Sequence, residues 1–430
     1  PSLSMAEGGP SPTVRKVLKE TEAMRSRTSE DGLLVLPVEE DACHWKALII
    51  GPPNTPYAYG FFTFDVKFGA EYPATPPSIR IETTDGGRTR FHPNLYANGL
   101  VCLSILGTWP GEKWAPSLNG ASALLSVASL LGSDNPITNE PGFESGVDHA
   151  RNEAYNAKVV HETLRVSVLD SLSNPTHPFA PLLAHFFRLY LPHYQRTLHA
   201  NSRRAGPFAQ MEFEGETNRM AGSFSYEALA QRVADIAAHN ETETQRWRDA
   251  PADDPNAMKT TFQAARKALR KEGVHILRTA PCVWLATFIV DESAGALDWC
   301  GVIPPLEVVV HPAHGSTGET DDVPRLRFQG AVFHPCVSSA GIPFTAPSPF
   351  RTADVVFHIL SAKDLLFKPP NPNPFTHLNP EASSLYFCPI AERDAKHAAY
   401  YSRISQDAER EATRLLEQMQ AAPTAAVPDG

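Results

Sequence analysis

The residues best suited to covalent chemistry are six cysteines, Cys43, Cys102, Cys282, Cys300, Cys336 and Cys388. None forms a C-x-x-C pair, which removes the usual zinc and dithiol redox arrangements. A lone cysteine in a reducing compartment is ordinarily a small buried hydrophobe. As a thiolate, however, it is a strong nucleophile, and the thioester it forms is readily attacked by an amine. Two of the six have histidine and proline close by: His92-Pro93-Asn94 precedes Cys102, and Cys336 directly follows His334-Pro335. His-Pro-Cys offers two metal ligands with nothing nearby to complete four, and His311-Pro312-Ala313-His314 is equally short, so neither metal nor cofactor is expected. The sequence fixes no carboxylate beside His92, which argues against a triad and for a ring that bonds backbone and shapes its loop.

Elements must hold these groups in place. Val14, Val17, Leu18 and Thr21 recur at helical spacing from Ser11 onward. Short runs rich in Val, Ile and Phe at 33–38, 45–50, 61–68 and 78–82 predict an antiparallel meander, and 119–132 returns to helix. This order predicts an α+β domain. Further helices are expected at 152–172, 179–200 and 225–240, and the charged stretch 240–254 reads as a linker. Beyond it a basic helix at 257–271 and strands at 282–290 and 306–310 restart the first half's order.

The restart has a nearly constant offset. Phe91-His92-Pro93 recurs 242 residues on as Phe333-His334-Pro335, and Leu130-Leu131 recurs 235 on as Leu365-Leu366. Asn135-Pro136 through Asn139-Glu140 is echoed by Asn371-Pro372 through Asn379-Pro380-Glu381. The expected organisation is one α+β fold used twice with extra helices between: 11–170, a helical extension and linker over 171–250, a degenerate copy over 255–405, and a helix with a disordered tail over 406–430. Proline explains part of the pattern. There are 39 prolines against 26 glycines, with eleven between Pro52 and Pro141 and fourteen between Pro304 and Pro389, where long irregular segments suit a residue of fixed φ without a donor.

Bulk properties exclude other classes. A net charge of -10 has the wrong sign for non-specific nucleic-acid binding, and no apolar run is long enough to span a membrane. The first twelve residues lack the basic-then-apolar order of a secretory signal, so a cytoplasmic or nuclear location is expected.

The segment 51–143 carries Gly51-Pro52-Pro53-Asn54-Thr55-Pro56-Tyr57, Gly60, Phe62, Tyr72-Pro73-Ala74-Thr75-Pro76-Pro77, His92-Pro93-Asn94, Cys102, Trp114 and Asn135-Pro136. In that order and spacing it resembles the ubiquitin-conjugating enzyme family. Cys102 through Gly111, Asn139-Glu140-Pro141-Gly142-Phe143 and His161-Glu162-Thr163-Leu164-Arg165-Val166 narrow the resemblance to its large subclass that includes ubiquitin-conjugating enzyme Z. The resemblance implies that Cys102 accepts the C-terminus of ubiquitin or a ubiquitin-like modifier from an activating enzyme. A substrate lysine then attacks, with Asn94 stabilising the oxyanion or holding the loop. His92, Pro93, Ser104 and Asn139 are implied to shape the site. Ser104 and Ile137-Thr138 depart from the pattern where acidic residues often stand, leaving Asp134, Asn139 and Glu140 as substitutes to help deprotonate the lysine. Partner contacts implied are Arg15, Lys16 and Lys19 toward the activating enzyme, and an exposed Phe68 with Trp114 and Pro116 toward ligases.

In the second half Cys336 replaces the asparagine and Phe344 stands where the nucleophile would be, which resembles a fused-toes type of non-catalytic variant. Two readings stay open: a conjugating enzyme with a partner-binding second domain, or a scaffold made of two such binding modules.

Overall fold

The computed structural model describes residues 10–25, 31–143, 149–211, 214, 220–288, 303–314, 322–329, 332, 336–337, 342–345, 353–367 and 377–378. The chain divides into two compact bodies, 1–238 with 347–352 and 239–346 with 353–430. Expectations for Phe333-His334-Pro335, Cys300, Cys388 and the tail over 406–430 lie outside the described residues.

In the first body, helix α1 (Pro12–Arg25) buries Val17, Thr21 and Met24, one face at helical spacing, and pairs Lys16 with Glu20 at 3.3 Å on the other. Four strands follow, β1 (Leu33–Val38), β2 (Asp41–Ile50), β3 (Phe61–Lys67) and β4 (Ser78–Ile81), in a sheet of order β1-β2-β3-β4 with antiparallel pairing throughout. Trp45, Ala47 and Ile49 alternate toward the core, and the indole N–H of the fully buried Trp45 donates to Thr21 Oγ1 at 3.0 Å, locking α1 to the sheet. Helix α2 (Gly120–Leu130) starts where Asn119 Oδ1 accepts the Ser122 N–H at 2.8 Å, and buries Ala123, Leu124 and Val127 in the same core.

The opposite face of the sheet is covered as well. Helix α3 (His149–Glu162) passes into a π-helical stretch, Thr163–Asp170, and is followed by α4 (Ala180–Asn201). Tyr194 donates its hydroxyl to Tyr59 O at 2.8 Å, and Tyr190 stacks on Tyr59 with centroids 4.3 Å apart. His177 Nε2 lies 3.0 Å from Thr63 Oγ1. Leu34, Leu48, Ile50 and Phe61, which alternate outward, are therefore buried too. The glycine of the Gly-x-Phe turn has a packing reason: a Cβ on Gly60 would lie 2.5 Å from Ser167 Oγ and 2.7 Å from Thr163 Cγ2. A small ribbon of β5 (Ala205–Pro207) and β6 (Ser223–Ser225) completes the extension, so these helices belong to the first body's fold.

Helix α5 (Tyr226–Asp249) corrects the linker expected over 240–254: helix persists to Asp249, and the division between bodies falls within it. In the second body, the last part of α5 packs on its sheet. The Arg325 guanidinium lies 4.0 Å over the Trp247 ring and donates to Asn240 O at 2.5 Å, and Arg248 meets Glu307 at 2.5 Å. Those polar residues are anchors, which is why the charged stretch was not a linker.

The remainder of the second body is α6 (Pro255–Lys271), β7 (Val274–Ala280), β8 (Val283–Phe288), β9 (Leu306–Val309), β10 (Arg325–Phe328) and α7 (Val355–Phe367). The sheet runs β10-β9-β8-β7, again an antiparallel meander beside a first helix. Trp284 on β8 is fully buried and meets Phe262 of α6 at 5.2 Å. Strand β7 escaped the sequence reading because three consecutive residues, Leu277, Arg278 and Thr279, are exposed and blur its alternation.

Candidate active site

Cys102 sits at the end of a tight loop that closes on itself. Its N–H donates to Asn94 O at 2.9 Å, and the Asn94 side-chain amide donates back to Cys102 O at 2.9 Å. Between them Leu95 bridges Val101. His92, fully buried, accepts the Asn94 N–H on Nδ1 at 2.9 Å. Its other nitrogen, Nε2, lies 3.1 Å from the Asn139 side-chain amide nitrogen, so both ring nitrogens are engaged. Burial, reinforced by the Arg90 charge, pulls the His92 pKa down to about 3, so the ring stays neutral and serves as a clamp. Tyr57, the tyrosine of the Thr-Pro-Tyr turn, donates to Phe91 O at 2.9 Å and supports the same loop from beneath.

The other rim is pinned by Thr108. Its Oγ1 accepts the Leu103 N–H at 2.9 Å and donates to Val101 O at 2.6 Å, holding the single turn Ser104–Leu106 beside the thiol. Ser104, half-exposed, opens that turn, and Gly107 closes it at φ 72. The segment that follows Cys102 is thus tied down at its start, with Trp109 39% exposed beyond it.

Three residues around Cys102 form its electrostatic setting. Arg90, almost fully buried, donates to Pro93 O, pairs with Glu140 at 3.2 Å and lies 4.3 Å over the Tyr96 ring. Tyr96 stands beside the Cys102 thiol and favours its ionised form. Cys102 is only 4% exposed, and burial pushes its thiol up; Tyr96 and Arg90 work against that rise, while Glu140 adds to it. Burial also pushes the Glu140 carboxyl up, against the pull of Arg90. Of the acidic and amide groups suggested for the lysine, Glu140 is the one electrostatically coupled to Cys102, Asn139 is taken by His92, and Asp134 bonds the neighbouring Asn135 amide at 2.9 Å. Arg90, Tyr96 and Thr108 escaped the sequence reading, which followed the three-residue motif and the nucleophile and had no signal for side chains that meet only when the loop folds.

This setting makes a prediction. Alkylation of Cys102 by iodoacetamide, followed site by site across pH, has its midpoint above that of free cysteine, and Tyr96→Phe moves it higher because the phenol no longer stabilises the thiolate. A midpoint at or below that of free cysteine contradicts the assignment.

The expected partner residues divide. Arg15 and Lys19 are exposed on α1 and Lys16 is half-exposed. Leu18 on the same helix is 47% exposed and is an apolar group that the charge pattern hid. Pro116 is exposed, while Trp114 is half-buried with its indole N–H on Pro73 O at 2.8 Å. Phe68 requires correction: it is 6% exposed, packed edge-on to Trp45 at 4.6 Å and Tyr72 at 4.8 Å, so it is core.

Buried histidines also give the first body an acid limit. His92, with its pKa near 3, and His177 and His193, each lowered by burial to about 4, must stay neutral in the fold. Their folded pKa values lie below the ordinary histidine value of about 6.5, so this stability is complete above that pH and is lost as pH falls toward 4. Thermal melting of the first body is expected at lower temperature at pH 5 than at pH 7; an unchanged melting temperature contradicts buried neutral rings.

Among the described residues no group of three His, Cys, Asp or Glu could hold a metal ion, and no helix is long and apolar enough to cross a membrane.

Residues 16–163 match the family model described as ubiquitin-conjugating enzyme. The human protein named ubiquitin-conjugating enzyme E2 Z is 38% identical over 205 residues, 47% of this chain and 56% of that protein. Its namesake in Xenopus tropicalis is 37% identical over 208 residues, 48% of this chain and 65% of that one. The human dual E2 ubiquitin-conjugating enzyme/E3 ubiquitin-protein ligase BIRC6 is 40% identical over 171 residues, 37% of this chain and 4% of its own length. The chain thus spans little more than half of the first of these relatives. Matched motif, fold and loop geometry agree over one stretch, and residues 16–163 form a domain of the ubiquitin-conjugating enzyme family.

Proposed function

We propose that this chain is a ubiquitin-conjugating enzyme that carries ubiquitin or a ubiquitin-like modifier as a thioester on Cys102 and passes it to a substrate lysine. The observation that carries the reading is the two-way clasp of Asn94 and Cys102, which presents one thiol beside an amide donor and a coupled carboxylate. An activating enzyme delivers the modifier, and the half-exposed and exposed groups of α1 are its docking face; a ligase and a substrate complete the partner set. The thiol works in a reducing compartment, cytoplasm or nucleus.

The second body is the non-catalytic counterpart. Its support is a repeat of the site's backbone without the site's chemistry. Phe344 N–H donates to Cys336 O at 2.8 Å and Val337 bridges Pro343, each 242 residues after the matching Cys102–Asn94 bond and Leu95–Val101 bridge. Phe344, 2% exposed, occupies the nucleophile's place, and Cys336 that of the asparagine. Its role is to bind a partner.

A scaffold built of two binding modules is favoured by one observation, the 4% exposure of Cys102. Incubation with activating enzyme, ATP and ubiquitin followed by free lysine separates the two. The enzyme reading expects an adduct that reductant removes and lysine discharges. Absence of an adduct with every modifier tried leaves the scaffold.

A further inference from the structure

Helix α6 carries Lys259, Arg266, Lys267, Arg270 and Lys271, all exposed, and no carboxylate. Its buried stripe, Met258, Phe262, Ala265 and Leu269, faces the second body's core. Lys259, Arg266 and Arg270 stand at i, i+7 and i+11, one line of about 16 Å along the helix. Arg278 of β7, also exposed, extends that line sideways, with its guanidinium 5.9 Å from the Phe262 ring. Beside it Leu277 is 55% exposed.

None of the five helix cations makes an ion pair among the described residues. The nearest carboxylates along the chain are Asp253 and Asp254 before the helix and Glu272 after it, and Asp254 is engaged as the helix cap, accepting the Asn256 and Ala257 N–H groups. In a chain of net charge -10, such a concentration of one sign is not solvation of an ordinary face, which would mix charges.

We infer that the line of Lys259, Arg266, Arg270 and Arg278, with Leu277 at its margin, is a docking surface for a carboxylate-rich protein segment. This rests on the reading of the second body as a partner-binding module and adds the chemistry of its partner. Arginine forks pair carboxylates bidentately, and an exposed leucine beside them suits a peptide with an apolar side chain among its acids. A nucleic acid fits less well: Phe262 is buried and gives the face no exposed ring for stacking.

The test uses the full chain and a fluorescein-labelled peptide of alternating glutamate and leucine, with polyuridine RNA and phosphatidylserine vesicles as competing probes. Peptide anisotropy is expected to report binding that weakens with salt. The combined variant Lys259→Glu, Arg266→Glu, Arg270→Glu and Arg278→Glu weakens it by about tenfold or more, while Arg→Lys at 266, 270 and 278 stays within a few-fold. Ubiquitin loading at Cys102 is measured on the same variant and stays unchanged. Loss of peptide binding with loading intact supports the surface. Equal peptide binding by the reversed variant, no peptide binding at all, or tighter binding to RNA or vesicles overturns it while leaving the conjugating reading standing. Loss of loading together with peptide binding also overturns it, because the helix would then serve the first body's reaction or the fold.

Discussion

Replacing Asn94 with alanine slows discharge of the loaded chain onto lysine by about 10²–10³-fold, the loss typical of one oxyanion donor. The structure adds a reason why this donor is available. Its side-chain N–H groups make a single bond, to Cys102 O at 2.9 Å, and its side-chain oxygen Oδ1 has no partner although buried. One net hydrogen bond of about 1 kcal/mol holds the amide in the resting loop, so rotating it toward a developing oxyanion costs little beside what it then stabilises. Two measurements separate that role from loop-holding. Single-turnover discharge falls steeply, while the melting temperature and the His92 clasp, which uses the Asn94 backbone, change little. If discharge stays within threefold of the parent and only stability drops, Asn94 is a structural tie.

The second large effect concerns stability. Lys158 on α3 and Glu214 in the extension form an ion pair with side chains 0% and 1% exposed. Lys158 also donates to Ala209 O at 3.2 Å, and Glu214 accepts the Met211 N–H at 3.1 Å. Removing one partner leaves a charge buried alone, which costs about 3–5 kcal/mol, a large share of the 5–15 kcal/mol that holds a typical domain together. Lys158→Met is therefore expected to bring the denaturant midpoint of the first body down sharply. The double variant Lys158→Met, Glu214→Met recovers much of the loss, since two apolar side chains replace a pair that was expensive to desolvate. A single variant within 1 kcal/mol of the parent contradicts a dry ion pair.

What could be read from residues alone follows the range of the interactions involved. Strands at 33–38 and 61–68 were legible because β-branched and aromatic runs end at turn residues, and the structure keeps them nearly to the residue as Leu33–Val38 and Phe61–Lys67. Cys102 was singled out by resemblance to a family motif, and the Leu95–Val101 bridge is what returns it to Asn94 in the fold. Features set by distant partners were not. Phe68 ends its strand beside a turn and looks like a surface group, yet Trp45 and Tyr72 enclose it. The stretch 240–249 reads as polar linker until Trp247, Asn240 and Arg248 are seen to meet Arg325 and Glu307, some 60 or more residues away. Arg90 and Tyr96, which set the charge around the thiol, lie outside the three-residue motif and carry no periodic signal.

If Cys102 Sγ is the atom that carries the modifier, serine at that position changes the chemistry of the bond it forms. Loaded with activating enzyme, ATP and ubiquitin, the parent chain is expected to form an adduct that reductant removes. Cys102→Ser is expected to form an oxygen ester that resists reductant and yields to alkali, and Cys102→Ala none. An adduct that persists in Cys102→Ala, or stays reductant-sensitive in Cys102→Ser, places the chemistry on another cysteine and contradicts the account.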